Sequence, residues 1–260
     1  SRCHRSLRPT ATVTRVERGP DRAVSAGQLY DFLIFFKDLI KFRDMYYINA
    51  CITKPLTAPF RASFAELAGP SRVEYFVSHF WGTAFQHFVD SIKKHAESEL
   101  GEDWRKVRYW ICSFSNNQWE VSQELGNGKW EDSSFYKALK CETCKGTCMV
   151  LDSQALPLTR SWCLFEVLQT YLRVGDGDRS YQGLLFCTST GVLNSGSAGY
   201  DVAVSLARRL SLLRVQDATA SQDSDKLMID GLLAKTGFER INRFVRKHIM
   251  RTLESVKQQF

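Results

Sequence analysis

The fold of this chain is indicated first by the stretch Val73-Glu-Tyr-Phe-Val-Ser78, which is short, rich in β-forming residues and mostly apolar. Apolar residues then recur at helical spacing from Phe85 to Ala96, which predicts a strand followed by a helix. The same alternation continues along the chain. Further strands are predicted at 107–113, 147–151 and 183–187, and further helices at 133–140, 159–173 and 201–209.

Apolar strands separated by helices are typical of a parallel sheet that is covered on both faces, a doubly wound α/β fold. A short strand over 210–215 and a long C-terminal helix over 225–257 complete this prediction. Sites in such sheets lie beyond the carboxyl ends of the strands. The loops to search are therefore 78–82, 113–118, 152–160 and 188–194.

The first part of the chain has a different pattern. Arg, Pro, Thr and Gly are mixed without an apolar period over 1–24, which predicts a disordered segment or a linker. Ser25 and Gln28 have the spacing of a capping box and precede an apolar helical period, so a helix is expected over 26–47. The predicted units are a linker at 1–24, a helical N-terminal extension at 25–69 and an α/β domain at 70–258.

Charge and composition narrow the classes of partner. The formal net charge of +7 comes from the basic ends of the chain, and basic and aromatic residues do not alternate, so no specific nucleic-acid partner is predicted. The longest dense apolar stretch, 29–36, is far shorter than the ~20 residues that span a bilayer. Cys112, Cys163 and Cys187 lie in apolar runs, as reduced core thiols do, which predicts a cytoplasmic protein.

Three cysteines have a spacing that resembles part of a zinc site. Cys141, Cys144 and Cys148 could reach one metal ion, but the nearest histidines, His95 and His248, are far away in sequence. Structural thiols are therefore favoured over zinc, and no metal site is predicted. The hypothesis that Cys141 and Cys144 form a redox-active pair stays open.

The loop after the first strand holds Ser78, His79, Phe80, Trp81 and Gly82. Its single glycine does not make a dinucleotide fingerprint. Ser78 beside His79 invites a nucleophile hypothesis, but neighbouring strand residues point to opposite faces, so a triad is not favoured. His79 is expected either to cap a loop or to line a ligand pocket.

The most informative stretch is Ser161-Trp-Cys-Leu-Phe-Glu166. On a helix, Trp162 and Glu166 are four residues apart and share a face, so the indole can flank the carboxylate. Spacing alone favours a simpler interpretation, in which Glu166 is solvated or pairs with Arg160 or Arg173.

Two of these stretches together resemble the Toll/interleukin receptor (TIR) domain family, in a divergent branch. They are Tyr75-Phe-Val-Ser-His79 and Ser161-Trp-Cys-Leu-Phe-Glu166, and the resemblance covers roughly 72–215. It implies a flavodoxin-like parallel sheet, here with an extra N-terminal helix and a long C-terminal helix. The chain departs from the family in lacking a clear acidic residue soon after the first strand and in its long segment from Asn116 to Trp130.

The resemblance also implies a function in signalling or defence. Enzymatic TIR domains need the glutamate four residues after the tryptophan to cleave NAD, and that position is Glu166. NAD would be the substrate, hydrolysed or cyclised with release of nicotinamide, and neither a cofactor nor a metal ion would be needed. The implied substrate-binding residues are Ser78, His79, Phe80, Trp81, Gly82, Trp162 and Cys163.

Two other hypotheses remain. The same fold could be a non-enzymatic TIR-type module that self-associates or recruits a partner. It could also process another nucleoside, as a deoxyribosyltransferase-like enzyme does, and that reaction too would need a functional Glu166. Fold alone does not decide between these activities.

Overall fold

The computed structural model describes residues 12–193, 198–212 and 214–247. Its centre is a six-stranded sheet in the order β1-β3-β2-β4-β5-β6. The four inner strands run parallel, and the two-residue edge strands β1 and β6 are antiparallel to their neighbours. The strands are β1 Val24–Ser25, β2 Tyr75–His79, β3 Arg108–Ile111, β4 Gly146–Val150, β5 Leu184–Thr188 and β6 Gly191–Val192.

Helices connect and flank these strands. They are α1 Ala26–Phe35, α2 Lys37–Ile40, α3 Met45–Ile48, α4 Lys54–Thr57, α5 Phe64–Ala68, α6 Phe85–Leu100, α7 Cys112–Ser115, α8 Val121–Glu124, α9 Ser134–Lys140, α10 Ser161–Gly175, α11 Tyr200–Leu212 and α12 Asp223–Thr236. A π-helical turn, Asn49–Thr53, joins α3 to α4, and residues 238–247 are helical. None of the described helices is long and apolar enough to cross a membrane.

Each face of the sheet has its own hydrophobic core, because alternate side chains of a strand point to opposite faces. In β2, Phe76 faces the side covered by α9 and α10, whereas Tyr75 and Val77 face the side covered by α1 and α6. Phe76 stacks on its register partner Trp110, with ring centroids 5.1 Å apart. These layers form an α/β fold compatible with the predicted doubly wound architecture, although the sheet is mixed rather than wholly parallel.

The predicted helix over 26–47 is divided into three pieces. A capping box of Ser25 and Gln28 starts α1 as expected. Lys41, which ends α2, adopts a positive φ of 42°, a conformation that cannot continue a right-handed helix. The Asp44 side chain then accepts a hydrogen bond from Tyr47 N and caps α3. The single-helix prediction was wrong because local capping breaks the apolar period.

The segment before α1 makes ordered contacts that a linker prediction does not account for. Residues 1–11 of that predicted linker lie outside the described residues. Arg22 is buried and pairs with Glu124 at 2.6 Å, and Val24 of β1 is the register partner of Tyr109. Apolar side chains of α1, such as Leu29 and Phe32, belong to the same core as α6 and the sheet.

The C-terminal predictions also need correction. Helix α11 extends to Leu212 and a single turn follows at Val215–Asp217, so the strand expected over 210–215 is wrong, with residue 213 outside the described part. The long helix expected over 225–257 is interrupted at Gly237, whose φ of +94° ends α12. The part of that helix beyond residue 247 lies outside the described residues.

Candidate functional site

A cavity of about 270 Å³ lies beyond the carboxyl ends of β2 and β3, against the first turns of α10. This is the edge of the sheet where ligands bind in open α/β folds. Aromatic rings from four parts of the chain form much of its wall, and a short segment after α11 closes one side. The lining includes Tyr46, His79, Phe80, Trp81, Cys112, Asn116, Gln118, Phe135, Arg160, Ser161, Trp162, Cys163, Glu166, Thr219 and Ser221.

Helix α10 presents Trp162 and Glu166 to this cavity. Leu164, between them, is fully buried in the core on the opposite side of the helix, and Phe165 packs beside Trp162 with ring centroids 5.9 Å apart. The indole Nε1 of Trp162 donates to the Asp225 carboxylate at 2.9 Å, which ties the tryptophan to α12. The shared face predicted from the four-residue spacing is therefore the face that lines the cavity.

Glu166 makes no ion pair with any described residue. Arg173 is turned to Asp178 at 2.9 Å, and Arg160 donates to the hydroxyls of Thr219 and Ser221. The simpler interpretation of an ion-paired Glu166 therefore does not apply within the described chain.

The carboxyl group of Glu166 is held in an unusual state. One of its oxygens, Oε2, is buried without a hydrogen bond of normal geometry to any described residue. Burial disfavours the charged form and raises the pKa of Glu166 to about 8, an effect that Ser78 beside it partly offsets. The surroundings of Glu166 therefore favour its protonated form more than water does.

Unpartnered polar groups are concentrated at this end of the molecule. Buried polar atoms in proteins nearly always have a hydrogen-bond partner. Ten buried side-chain atoms of the described residues lack one, and seven of the ten lie at the carboxyl edge of β2 and β3 or on α10. They belong to Ser78, His79, Ser113, Asn116, Ser161 and Glu166. Such a cluster is typical of a site that is completed by a ligand.

Ser78 and His79 lie on opposite faces of β2, in line with the prediction against a triad. Ser78 is buried beside Glu166, whereas the His79 ring packs against Phe88 of α6, with centroids 4.7 Å apart. Burial lowers the pKa of His79 to about 3, so the ring is neutral. His79 borders the cavity, and its carbonyl oxygen lies 3.5 Å from the Cys163 thiol.

The loop after β2 provides one aromatic wall. Trp81 Nε1 donates to Cys112 Sγ at 3.2 Å, and the Trp81 ring meets Tyr46 edge-on at 5.4 Å. Phe80 lines the same wall. Gly82, in contrast, borders a second, more open cavity on the other side of this loop, and Ser78 is buried behind the residues that line the first cavity. Ser78 and Gly82 are therefore the two predicted substrate-binding residues that do not line the cavity.

The surroundings of the two thiols at the site disfavour their thiolate forms. Burial raises the pKa of Cys112 to about 12 and that of Cys163 well above its ordinary value, so both are neutral thiols rather than nucleophiles. Cys141 and Cys144 are buried free cysteines before the start of β4, and Cys148 is a buried free cysteine in the middle of that strand. Among the described residues, His, Cys, Asp and Glu side chains nowhere group in threes that could hold a metal ion, and His248 lies outside them.

Sequence reasoning did not assign Arg160, Asn116, Gln118, Thr219 or Ser221 to the site. The first three lie in loops that were expected to carry sites, at the carboxyl ends of strands. No sequence signal pointed to Thr219 and Ser221, because they come from a segment that follows α11. A parallel bridge between Arg160 and Thr219 brings that segment to the cavity.

Comparisons of the chain with family models, with curated proteins and with solved structures find no match.

Proposed function

We propose that this chain is a TIR-like domain that cleaves NAD between nicotinamide and ribose, with Glu166 as the catalytic residue. The observation that carries the proposal is the state of Glu166. Its carboxyl group lies at an aromatic-lined cavity, and within the described part of the chain it has no ion pair and one of its oxygens is buried without a partner. A group of this kind is costly to the folded state, and such costs are concentrated at functional sites.

The topology supports the proposal. Across the sheet the four parallel strands lie in the order β3-β2-β4-β5, so the first two strands in the chain have exchanged places. We infer that this is the flavodoxin-like order. In folds of that order ligands bind beyond the carboxyl ends of the strands, near the point where connections diverge to opposite sides. The cavity lies at that edge, beside the end of β2.

The reaction follows from the chemistry of the bond that breaks. The electron pair of the glycosidic bond leaves with nicotinamide, which becomes neutral, and the ribose carbon acquires oxocarbenium character, as in glycoside hydrolysis. Water then adds to that carbon and releases a proton, which gives ADP-ribose. A carboxylate of Glu166 held near the ribose hydroxyls stabilises the positive charge as it develops.

The raised pKa of Glu166 fits this role. A desolvated carboxylate interacts with a nearby cation more strongly than a hydrated one does. The nicotinamide ring of NAD is itself positively charged, so binding of NAD favours the ionised form of Glu166 and lowers its pKa towards neutrality. The rings of Phe80 and Trp81 provide flat surfaces against which the nicotinamide ring can stack.

The test is release of nicotinamide from NAD by the purified chain, at low and at crowded concentration. We expect Glu166→Gln to lower the rate by about 100-fold or more, because it removes the charge that stabilises the transition state. Glu142→Gln, a change at an exposed glutamate near the other end of the sheet, is the matched control and should leave the rate unchanged. Absence of release by the unmodified chain at both concentrations, or equal rates for Glu166→Gln and the unmodified chain, would refute the proposal.

An apolar surface favours a second candidate function, self-association of the TIR type. Helices α1 and α2 and the turn after them expose Phe35, Leu39 and Phe42, and the last of these is 94% exposed. Exposed patches of large apolar side chains commonly mark interaction surfaces. A non-enzymatic assembly module would associate with increasing concentration, would release no nicotinamide, and would lose association in Phe42→Ser.

A further inference from the structure

We propose that the mouth of the Glu166 cavity binds the 5′-phosphate of the substrate through Arg160 and the N-terminus of α10, so that the site takes nucleotides rather than free nucleosides. This inference rests on the proposed function and specifies its substrate class.

Arg160 is a cation without a counter-charge among the described residues. Its guanidinium donates to the hydroxyls of Thr219 at 3.4 Å and Ser221 at 3.0 Å, and its centre lies 5.6 Å from the ring centroid of Phe80. These contacts hold the side chain at the cavity without neutralising it. Arginine in this setting is suited to a phosphate, which accepts paired N–H bonds from the guanidinium fork.

The N-terminus of α10 is open to an anion. This helix has 15 residues, no side chain caps its first turn, and that turn contains no acidic residue. Ser161 N already donates to the Thr219 carbonyl at 2.9 Å. The remaining N–H groups of the first turn and the helix dipole therefore favour a negative group there.

A second observation at the same place points to a ligand. Ser161, the first residue of α10, lines the cavity and is only 1% exposed, yet its Oγ has no hydrogen-bond partner among the described residues. A hydroxyl that is buried without a partner loses hydrogen bonds to water and gains none from the protein. A phosphate oxygen at this position would restore a bond.

The spacing along α10 matches the size of a nucleotide. Ser161 and Glu166 are five residues apart, which corresponds to about 7.5 Å along the helix axis. A ribose placed between them has its anomeric carbon near Glu166 and its 5′-phosphate near Ser161 and Arg160.

The cavity volume agrees with this arrangement. At about 270 Å³ it is slightly smaller than typical ligand pockets, which have volumes of ~300–1,000 Å³. It therefore accommodates the nicotinamide and ribose of NAD, whereas the adenosine half extends outside. The phosphate next to the ribose becomes the first charged group at the mouth.

The test compares two ligands that differ by one phosphate, nicotinamide mononucleotide and nicotinamide riboside. Their binding to the full chain is measured by calorimetry in the Glu166→Gln background, so that turnover does not interfere. We expect Arg160→Gln to weaken binding of the mononucleotide by about tenfold or more, since it removes charge-assisted hydrogen bonds, and to leave binding of the riboside unchanged. Arg160→Lys should restore part of the lost affinity.

Arg179→Gln is the matched control, because Arg179 is an exposed arginine beyond the opposite end of α10. It should change neither affinity. Equal weakening of both ligands by Arg160→Gln, no weakening of either, or failure of the mononucleotide to bind at all would overturn the phosphate site. A chain that binds the mononucleotide in this way but releases no nicotinamide would overturn the proposed reaction and leave the phosphate site intact.

Discussion

The two ends of the sheet differ in whether their buried polar groups have hydrogen-bond partners. At the carboxyl end, the hydroxyls of Ser113 and Ser161 are buried without hydrogen-bond partners among the described residues. At the amino end, the hydroxyl of Thr147 in β4 contacts the hydroxyls of Thr170 at 2.8 Å and Tyr181 at 2.6 Å. Both ends lie in the same fold, on the same strands, within a few residues of each other.

The amino end also neutralises its charges. Glu74 lies between Arg108 and Lys145, at 3.1 and 2.9 Å. Arg173, at the last turn of α10, donates to the carbonyl of Leu139 at 2.6 Å. Polar groups that satisfy one another stabilise the fold, whereas polar groups held without partners reduce stability and are available to a ligand. The amino end of the sheet therefore stabilises the fold, and the carboxyl end is the part suited to binding.

The largest effect on stability is expected at Arg173. Its side chain is 6% exposed, pairs with Asp178, and lies over the Tyr181 ring at 4.1 Å. Arg173→Met should lower the free energy of unfolding by about 3 kcal/mol, because charge-assisted bonds are lost and the Leu139 carbonyl remains buried. Denaturant unfolding measures the change, with exposed Arg179→Met as the control, and a cost below about 1 kcal/mol would contradict the stabilising role.

A smaller effect concerns the pH dependence of stability. The pKa of Glu166 is about 8 in the folded chain against an ordinary 4.5, so the folded state holds this proton more firmly than the unfolded state. The contribution of protonated Glu166 to the free energy of unfolding is fully present below pH 4.5. It is lost as the pH rises through 8, by at most about 1.4 kcal/mol per pH unit.

The measurement is denaturant unfolding of the unmodified chain and of Glu166→Gln between pH 6.5 and 8. Buried His79 and His95, with pKa values lowered to about 3 and 4, act in the opposite direction and only below pH 6.5. Stability of the unmodified chain should fall relative to Glu166→Gln across this window. Parallel curves would show that Glu166 is solvated.

The smallest effect comes from a matched pair of hydroxyl deletions. Thr147→Val removes the hydrogen bonds to Thr170 and Tyr181 and should cost about 1 kcal/mol of unfolding free energy. Ser113→Ala removes a hydroxyl that is buried without a partner among the described residues and should cost close to nothing in stability. Equal costs at the two positions would remove the contrast between the two ends of the sheet.

Much of the fold could be predicted from sequence because the inner strands are apolar throughout and the helices between them keep their period. The strands expected at 147–151 and 183–187 correspond to Gly146–Val150 and Leu184–Thr188. The edge strands were missed because each has only two residues, too few to form a pattern. The break at Gly237 was missed because a glycine within an apolar helical period gives no sign of its φ angle.

The candidate site was predictable to the extent that it depends on spacing within α10. Trp162 and Glu166 line the cavity together, as their separation of one helical turn indicates. The raised pKa of Glu166 could not be foreseen, since it results from burial by groups that are distant in sequence. The contribution of Thr219 and Ser221 depends likewise on a long-range pairing with residue 160.

The N-terminal extension contacts the loop that forms one wall of the cavity, and this has a practical consequence for the choice of fragment to express. Met45 N donates to the Trp81 carbonyl at 2.9 Å, and Phe85 N donates to the Arg43 carbonyl at 2.8 Å. These bonds hold the Phe80–Trp81 wall from outside. A fragment cut at the predicted boundary near Gly69 would keep Glu166 but would lose Tyr46 and both of these bonds. Material intended for crystallisation or ligand screening should therefore retain residues 12–69.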